Sequence, residues 1–90
     1  MRVRIPTPLR SYTDQQAAVD VAIESAGTTI RDVLAELDHR FPGIRFRAVD
    51  EQGRLRQHMR VFVNDEMTRD LDTALNEADE LTLMQALSGG

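Results

Sequence analysis

The residues with the clearest chemical potential stand at the end of the chain, where Gly89 and Gly90 follow a run of strand-like alternation at 81–87. Neither glycine carries a Cβ, so this backbone can pass through a channel too narrow for any other residue. The last four residues, when extended, reach at most about 13–14 Å beyond the body of a domain. The glycine pair alone leaves two interpretations open: a frayed terminus, or a tail whose Gly90 carboxylate enters another protein's active site and reacts there, with Gly89 giving access.

The other reactive side chains do not form a catalytic or metal-binding pattern. The chain has no cysteine, and its two histidines, His39 and His58, stand far apart without the further ligands that a zinc site needs. Adjacent carboxylates such as Asp50 and Glu51 lie in predicted turns, whereas acid–base catalysis needs a perturbed group inside a cleft. We therefore expect no enzymatic activity, no metal and no bound cofactor.

Composition indicates one small domain. A chain of 90 residues buries roughly 60–65% of its unfolded surface, which is sufficient for independent folding. No apolar run approaches the ~20 residues that span a bilayer, and the absence of cysteine gives no sign of an oxidising compartment. We expect a cytoplasmic protein with no membrane partner. The net charge of −4 argues against nucleic acid as the main partner, because phosphate binding needs a basic face.

The charges are distributed unevenly along the chain. Residues 61–80 carry seven acidic side chains and a single arginine, Arg69. The acidic and basic blocks are either two solvent-exposed charged surfaces without a further role or a docking face that steers a partner of opposite charge. Both interpretations stay open. The basic block between residues 40 and 60 consists of Arg40, Arg45, Arg47, Arg54, Arg56 and Arg60.

Periodicity predicts the elements that position the glycine pair. Alternation around Val3 and over 17–24 predicts two strands, with pairing of the first ended near Ile5 by Pro6. Helical spacing over 30–41 predicts an amphipathic helix of about three turns. The other predicted features are a helix cap at Thr29 with Asp32, a helix stop at Pro42, a turn at 50–53, a strand at 61–63 with a turn at 64–65, a short strand near Met67, a turn of helix at 71–75, and a last strand from Leu81.

This order of elements predicts an α+β fold in which one main helix covers a mixed sheet. If the first and last strands pair in parallel at the sheet centre, the chain between them must cross the helix face. That arrangement is the β-grasp, or ubiquitin-like, fold. We expect the domain at residues 1–87 and a flexible Gly-Gly tail at 88–90.

Alternation places Phe62, Thr82 and Met84 on the sheet face away from the helix. An exposed aromatic side chain beside a methionine is typical of a docking surface for another protein. Loops or the arginine-rich segment could instead cover these side chains. Phe62 and Met84 are therefore candidate docking residues.

Several of these stretches resemble the ThiS/MoaD family of ubiquitin-like sulfur-carrier proteins, and the resemblance spans essentially the whole chain. It is closest to the CysO-type carriers that serve cysteine biosynthesis. The matching stretches are Ile5-Pro6-Thr7-Pro8-Leu9-Arg10, Val61-Phe62-Val63-Asn64-Asp65-Glu66, Asp79-Glu80-Leu81 and the terminal Gly89-Gly90.

The resemblance implies that an ATP-dependent adenylating enzyme, similar to ubiquitin-activating enzymes, activates the Gly90 carboxylate, which then becomes a thiocarboxylate. A sulfur-accepting biosynthetic enzyme would take the sulfur for cysteine or another sulfur-containing metabolite. The resemblance implies a carrier that binds no cofactor, leaves ATP to its activating enzyme and is monomeric when free. A ubiquitin-like protein modifier and the small subunit of molybdopterin synthase remain alternatives.

Overall fold

The computed structural model describes residues 1–86. The predicted domain boundary at residue 87 and the predicted tail at 88–90, with Gly89 and Gly90, lie outside the described residues.

Five strands and two α-helices make up the described part of the chain. A 3-10 helix at Thr7–Thr13 joins the first two strands. The strands are β1 (Arg2–Arg4), β2 (Ala18–Asp20), β3 (Met59–Val63), β4 (Glu66–Thr68) and β5 (Glu80–Gln85), and the helices are α1 (Ile30–Arg40) and α2 (Ile44–Ala48).

The strands form one mixed sheet in the order β2-β1-β5-β3-β4. β1 and β5 pair in parallel, with Val3 opposite Leu81, and the other neighbours pair antiparallel. The last strand therefore lies between the first and third strands. Because β4 and β5 are both antiparallel to β3, they run in the same direction, and the connection between them must cross from one end of the strands to the other. The predicted mixed sheet with a parallel pair of first and last strands is confirmed.

The core lies between the sheet and α1. Val3, Leu81 and Val61 come from the three central strands and are fully buried. Leu34 and Leu37 of α1 are buried with them in one hydrophobic cluster. Burying one such side chain stabilises the folded state by about 1.5–3 kcal/mol. The burial of this cluster is therefore a major source of the free energy of folding.

The predicted main helix is confirmed at both ends. The Thr29 hydroxyl accepts the amide of Asp32, and the Asp32 carboxylate accepts the amide of Thr29, which is a complete capping box. The helix ends at Arg40, followed by Phe41 as the C-terminal cap. Pro42 follows and cannot continue the helix.

The predicted turn of helix at 71–75 is wrong. In the first turn of α1, the amide of Ile30 donates to the carbonyl of Thr73 at 3.1 Å. The next amide, of Arg31, donates to the carbonyl of Leu71 at 2.9 Å. Helix amides in the first turn have no partner within their own helix. Residues 71–73 supply the acceptors, and the amide of Leu75 donates to the carbonyl of Thr28 at 2.8 Å, so it does not bond the Leu71 carbonyl as a turn of helix would require.

Three smaller features differ from the predicted elements. The second strand is shorter than 17–24 because the chain leaves regular pairing after Asp20, although the Val21 amide still donates to Met1. The polar connection after β1 folds into the 3-10 helix. Residues 44–48, for which the pattern predicted no element, form α2 with Ile44 and Ala48 buried.

Side-chain amides and carboxylates fix the start of β5 against the β3–β4 turn. Asn64 takes the left-handed conformation at φ 55°. Its side chain accepts the amide of Glu80 at 3.0 Å and donates to Asp79 at 3.0 Å. The Asp79 carboxylate also accepts the backbone amide of Asn76. These bonds stabilise the charged form and lower the pKa of Asp79, with the Asn76 bond the larger cause and the Asn64 bond the second.

Replacing Leu81 by Ala should destabilise the fold by about 2–5 kcal/mol, because it removes a fully buried side chain from the central strand. Met84 lies on the same strand with its side chain exposed, so Met84→Ala is the matched control and should stay within about 0.5 kcal/mol of wild type. Urea unfolding measures both free energies. Equal losses would mean that the two sheet faces are assigned wrongly.

Asp79→Asn should destabilise the protein at neutral pH, and its difference from wild type should shrink as the pH falls below the ordinary aspartate value. The sign follows from the lowered pKa: the stabilisation is present above the unfolded-state pKa and is lost as Asp79 becomes protonated in the folded state. Urea unfolding of both proteins at pH values on either side of 3.8 measures this. A difference that does not depend on pH would contradict it.

Candidate functional site

The sheet fixes the point at which the C-terminal tail begins. β5 ends at Gln85, and the amide of the next residue, Ala86, donates to the carbonyl of His58 at 2.7 Å. The strand is hydrogen-bonded to β1 on one side and β3 on the other. Gly89 and Gly90 lie outside the described residues, but chain length alone limits Gly90 to within about 13–14 Å of Ala86.

The sheet face away from α1 carries a partly exposed stripe of mostly apolar side chains. Register places Phe62 of β3 opposite Thr82 of β5 and opposite Met67 of β4. Directly opposed residues share a face, and Met84 follows Thr82 on that face two residues later. Met67 is 57% exposed and Met84 is 48% exposed. The register places Phe62, Thr82 and Met84 on the predicted face, with Phe62 and Thr82 half-buried, and their role in docking stays a prediction. We call these residues with Met67 the outer stripe.

Met67 was not predicted as part of this surface. A single methionine in a three-residue strand gives too short a pattern to show which face it occupies. Its place became clear only from its register opposite Phe62.

A shallow groove connects the outer stripe to the segment after β1. Its wall includes Met84, Pro6, Pro8, Arg10 and Ala17. The guanidinium of Arg10 donates to the carbonyl of Ile5 at 3.0 Å, which holds this proline-containing segment beside the end of β5. The prolines that interrupt the first strand pattern thus line a surface next to the start of the tail.

The carboxyl groups do not resemble those of an acid–base catalyst. The pKa of Asp50 is lowered chiefly by a hydrogen bond from the backbone amide of Arg54. The pKa of Glu77 is lowered chiefly by the bond that the amino group of Met1 donates to it. A general acid at neutral pH needs a raised pKa. Asp50 instead accepts the backbone amides of its own turn, and Glu77 accepts the Met1 amino group and the amide of Ile23.

The structure does not bring the two histidines into a common site with other ligands. Among residues 1–86, no group of three or more histidine, cysteine, aspartate or glutamate side chains could hold a metal ion. Over the same residues, no helix is long and apolar enough to span a membrane.

The fold, with its last strand in the sheet interior and its exposed apolar face, defines a ubiquitin-like β-grasp protein. The chain matches the ThiS family over residues 3–90. It belongs to that family.

Relatives and solved structures agree with this membership. The chain is 34% identical to the sulfur carrier protein CysO of Mycobacterium tuberculosis strain H37Rv, over 98% of this chain and 96% of that protein. The crystal structure of Mycobacterium tuberculosis CysO superposes with a TM-score of 0.84 at 33% identity, covering 96% of this chain and 98% of the other.

Two further solved structures are similar to this chain over nearly its whole length. One is the BexX/CysO complex of Amycolatopsis orientalis, with a TM-score of 0.86 at 33% identity over 99% of this chain and 98% of that chain. The other is SAMP1 of Haloferax volcanii, with a TM-score of 0.83 at 28% identity over 100% of this chain and 98% of that chain. The predicted resemblance to CysO-type sulfur carriers is confirmed.

Proposed function

We propose that this protein is a sulfur carrier whose Gly90 carboxylate becomes a thiocarboxylate and donates sulfur in the biosynthesis of cysteine or another sulfur-containing metabolite. The observation that carries the proposal is the course of β5. This strand is paired on both sides and ends at Gln85, so the glycine pair follows a rigid domain by only a few residues. The similarity to CysO over nearly the whole chain supports the same role.

The chemistry requires a partner enzyme because a carboxylate is a poor electrophile. The partner joins the Gly90 carboxylate to AMP from ATP, with release of pyrophosphate. Sulfide then attacks the acyl carbon and expels AMP, leaving a terminal thiocarboxylate. Its sulfur is ionised near neutral pH and is nucleophilic, as the thiolate form of cysteine is.

The carrier's own residues present this group and do not transform it. We propose residues 1–87 as the domain that partners recognise and residues 88–90 as the tail that enters their active sites. Gly89 keeps the backbone beside the reacting group narrow, because a Cβ would widen it. ATP belongs to the activating enzyme, and the carrier is neither an enzyme nor bound to a cofactor in this proposal.

Two partners follow from the reaction sequence, namely an adenylating enzyme of the ubiquitin-activating type and a sulfur-accepting biosynthetic enzyme. The solved complex of a similar CysO with BexX supports the view that such a domain docks as a unit. We propose that the outer stripe, with Phe62 and Met84, is the docking face and that the carrier is monomeric between encounters. A cytoplasmic location, where ATP is available, belongs to the same proposal.

A second candidate function is that of a protein modifier. It is favoured by the similarity to SAMP1, whose name is small archaeal modifier protein 1. A modifier would use the same adenylate but would end in an isopeptide bond to an amine of another protein. The chain has no lysine, which excludes only chains that the protein would form on its own lysines.

The first functional prediction is that the protein, incubated with its activating enzyme, ATP and sulfide, gains the mass of one sulfur minus one oxygen at its C-terminus. Deleting Gly90 or replacing Gly89 by Val should abolish this gain, while stability moves by no more than about 0.5 kcal/mol. Intact-mass spectrometry and thermal unfolding measure the two effects. Loading of Gly89→Val at the wild-type rate, or isopeptide adducts in place of the thiocarboxylate, would overturn the carrier proposal.

The second functional prediction is that Phe62→Asp weakens binding to the activating enzyme by at least about 2 kcal/mol, the effect of losing a hot-spot aromatic. Ala35→Asp is the control, since it introduces the same charge at an exposed position on α1, in the opposite layer. Calorimetric titration measures affinity, and circular dichroism verifies folding. If Phe62→Asp binds as tightly as the control, the outer stripe is not the docking face.

A further inference from the structure

A basic surface borders the start of the tail on the side of β3. Phe46, Arg47, Arg56 and His58 line one shallow pocket, and the carbonyl of His58 holds the amide of Ala86. This surface therefore begins at the last described residue before the tail.

The same surface continues onto the outer face of the sheet through Arg60, whose register position is opposite Met84. We call Arg47, Arg56 and Arg60 the arginine rim. The rim extends from the pocket, which Arg47 and Arg56 line, to the outer stripe, where Arg60 lies opposite Met84.

The arginines of the rim are held by groups that do not neutralise them. Arg56 donates to the carbonyl of Phe46 at 2.7 Å, and its guanidinium lies 4.6 Å from the centre of the Phe46 ring. Arg60 donates to the carbonyls of Gln57 and Met59 at 2.7 and 3.0 Å. Arg47 is exposed. These contacts orient Arg56 and Arg60 while leaving further N–H donors on each guanidinium.

No rim arginine forms an ion pair with a carboxylate within residues 1–86. The ion pairs in that range join Glu77 to the Met1 amino group, Arg4 to Glu80, Arg31 to Asp72 and Arg54 to Asp50. The rim is thus a concentration of positive charge without ion-pair partners, on a chain whose net charge is −4. Asp50 compensates part of it: a bond from the Arg54 amide chiefly lowers the pKa of Asp50, and the nearby charges of Arg54 and Arg56 lower it further.

The opposite end of β5 is acidic. Glu80 begins the strand and is paired with Arg4, Asp79 precedes it, Asp65 lies in the adjoining β3–β4 turn, and Glu66 begins β4. A strand of this length separates the two ends by roughly 17–20 Å, about twice the screening length of ~8 Å at physiological ionic strength. Each end therefore presents its own charge to a surface that comes into contact with it.

We infer that the arginine rim is an electrostatic docking surface for an acidic protein face surrounding the channel that receives the tail. The inference rests on the proposed function and specifies the chemistry of the partner. An acidic face attracts the rim and repels the acidic end of β5, so it orients the carrier with its tail first. The oriented guanidinium groups of Arg56 and Arg60 match carboxylates, to which arginine binds in bidentate geometry.

Charge distribution favours a protein partner over nucleic acid. A nucleic acid presents phosphates along its whole length, and the acidic groups around Asp65 and Asp79 would repel any strand that extended past the rim. A protein can instead confine its acidic groups to the rim of one channel. The apolar outer stripe beside the rim also suits a protein surface.

The test compares two variants that change the net charge equally. Arg47→Glu alters the rim, and Arg2→Glu alters an exposed arginine near the acidic end of the sheet. Rapid-mixing kinetics with the activating enzyme should show association of Arg47→Glu slowed about tenfold at low ionic strength, with less effect at high salt. Arg2→Glu should stay within about twofold of wild type. Arg47→Gln should give an intermediate rate, and thermal unfolding verifies that each variant is folded.

The outcomes separate this inference from the proposed function. If wild-type protein is never loaded with sulfur by any activating enzyme, the proposed function fails and the inference fails with it. If wild type is loaded but Arg47→Glu associates as fast as Arg2→Glu, the inference alone is overturned. Binding of a double-stranded DNA oligonucleotide at physiological salt that is lost in Arg47→Glu would also overturn it, because the rim would then bind nucleic acid.

Discussion

The parallel pairing of β1 with β5 is the constraint on which the rest of the structure depends. Val3 and Leu81 face each other across it, and both are fully buried. Because the last strand lies inside the sheet, its sequence must alternate between a core face and an outer face. The chain after β5 must then leave from the interior of the sheet, where β3 pairs with the strand as far as Gln85 and β1 pairs with its first half. The tail consequently begins at a fixed point.

This pairing also requires a long connection between β4 and β5. Its residues, 69–79, lie outside the helices and strands, and hydrogen bonds to other parts of the domain hold it. Leu71 and Thr73 supply carbonyls to the first turn of α1. Arg69 donates to the carbonyls of Leu55 and Met59 at 2.9 and 3.0 Å. Each such bond contributes about 0.5–1.5 kcal/mol net, and losing a partner of a buried group costs more. The connection is therefore held in the same domain as the sheet and α1.

Two different surfaces border the start of the tail, and physical chemistry gives them different roles. The outer stripe offers apolar area from Phe62 and Met84, and burial of such area provides affinity. The arginine rim offers charge, which acts over longer distances and mainly raises the rate of association. A carrier must bind an activating enzyme, dissociate and bind an acceptor. A combination of modest apolar area and steering charge meets that need, because steering speeds each encounter without slowing release.

The sequence by itself determined the features that depend on neighbouring residues. Alternation at Leu81 identified the core strand, Thr29 with Asp32 gave the helix cap, and Pro42 ended the helix. The same alternation placed Phe62 and Met84 on the outer face. These signals are local, since side-chain direction repeats every two residues in a strand and a cap involves residues three positions apart.

Only the tertiary structure decided the features that depend on residues far apart in the chain. Segment 71–75 has a helical pattern, but its carbonyls bond the start of α1 some 40 residues earlier. The six arginines at 40–60 looked like one charged block. Folding divided them: Arg40 donates to the carbonyl of Asp20 on β2 at 2.6 Å, while Arg47, Arg56 and Arg60 form the rim beside the tail. The type of each residue determines its charge and its hydrogen-bonding capacity. Which groups lie close enough to compensate each other depends on the folded arrangement of the strands.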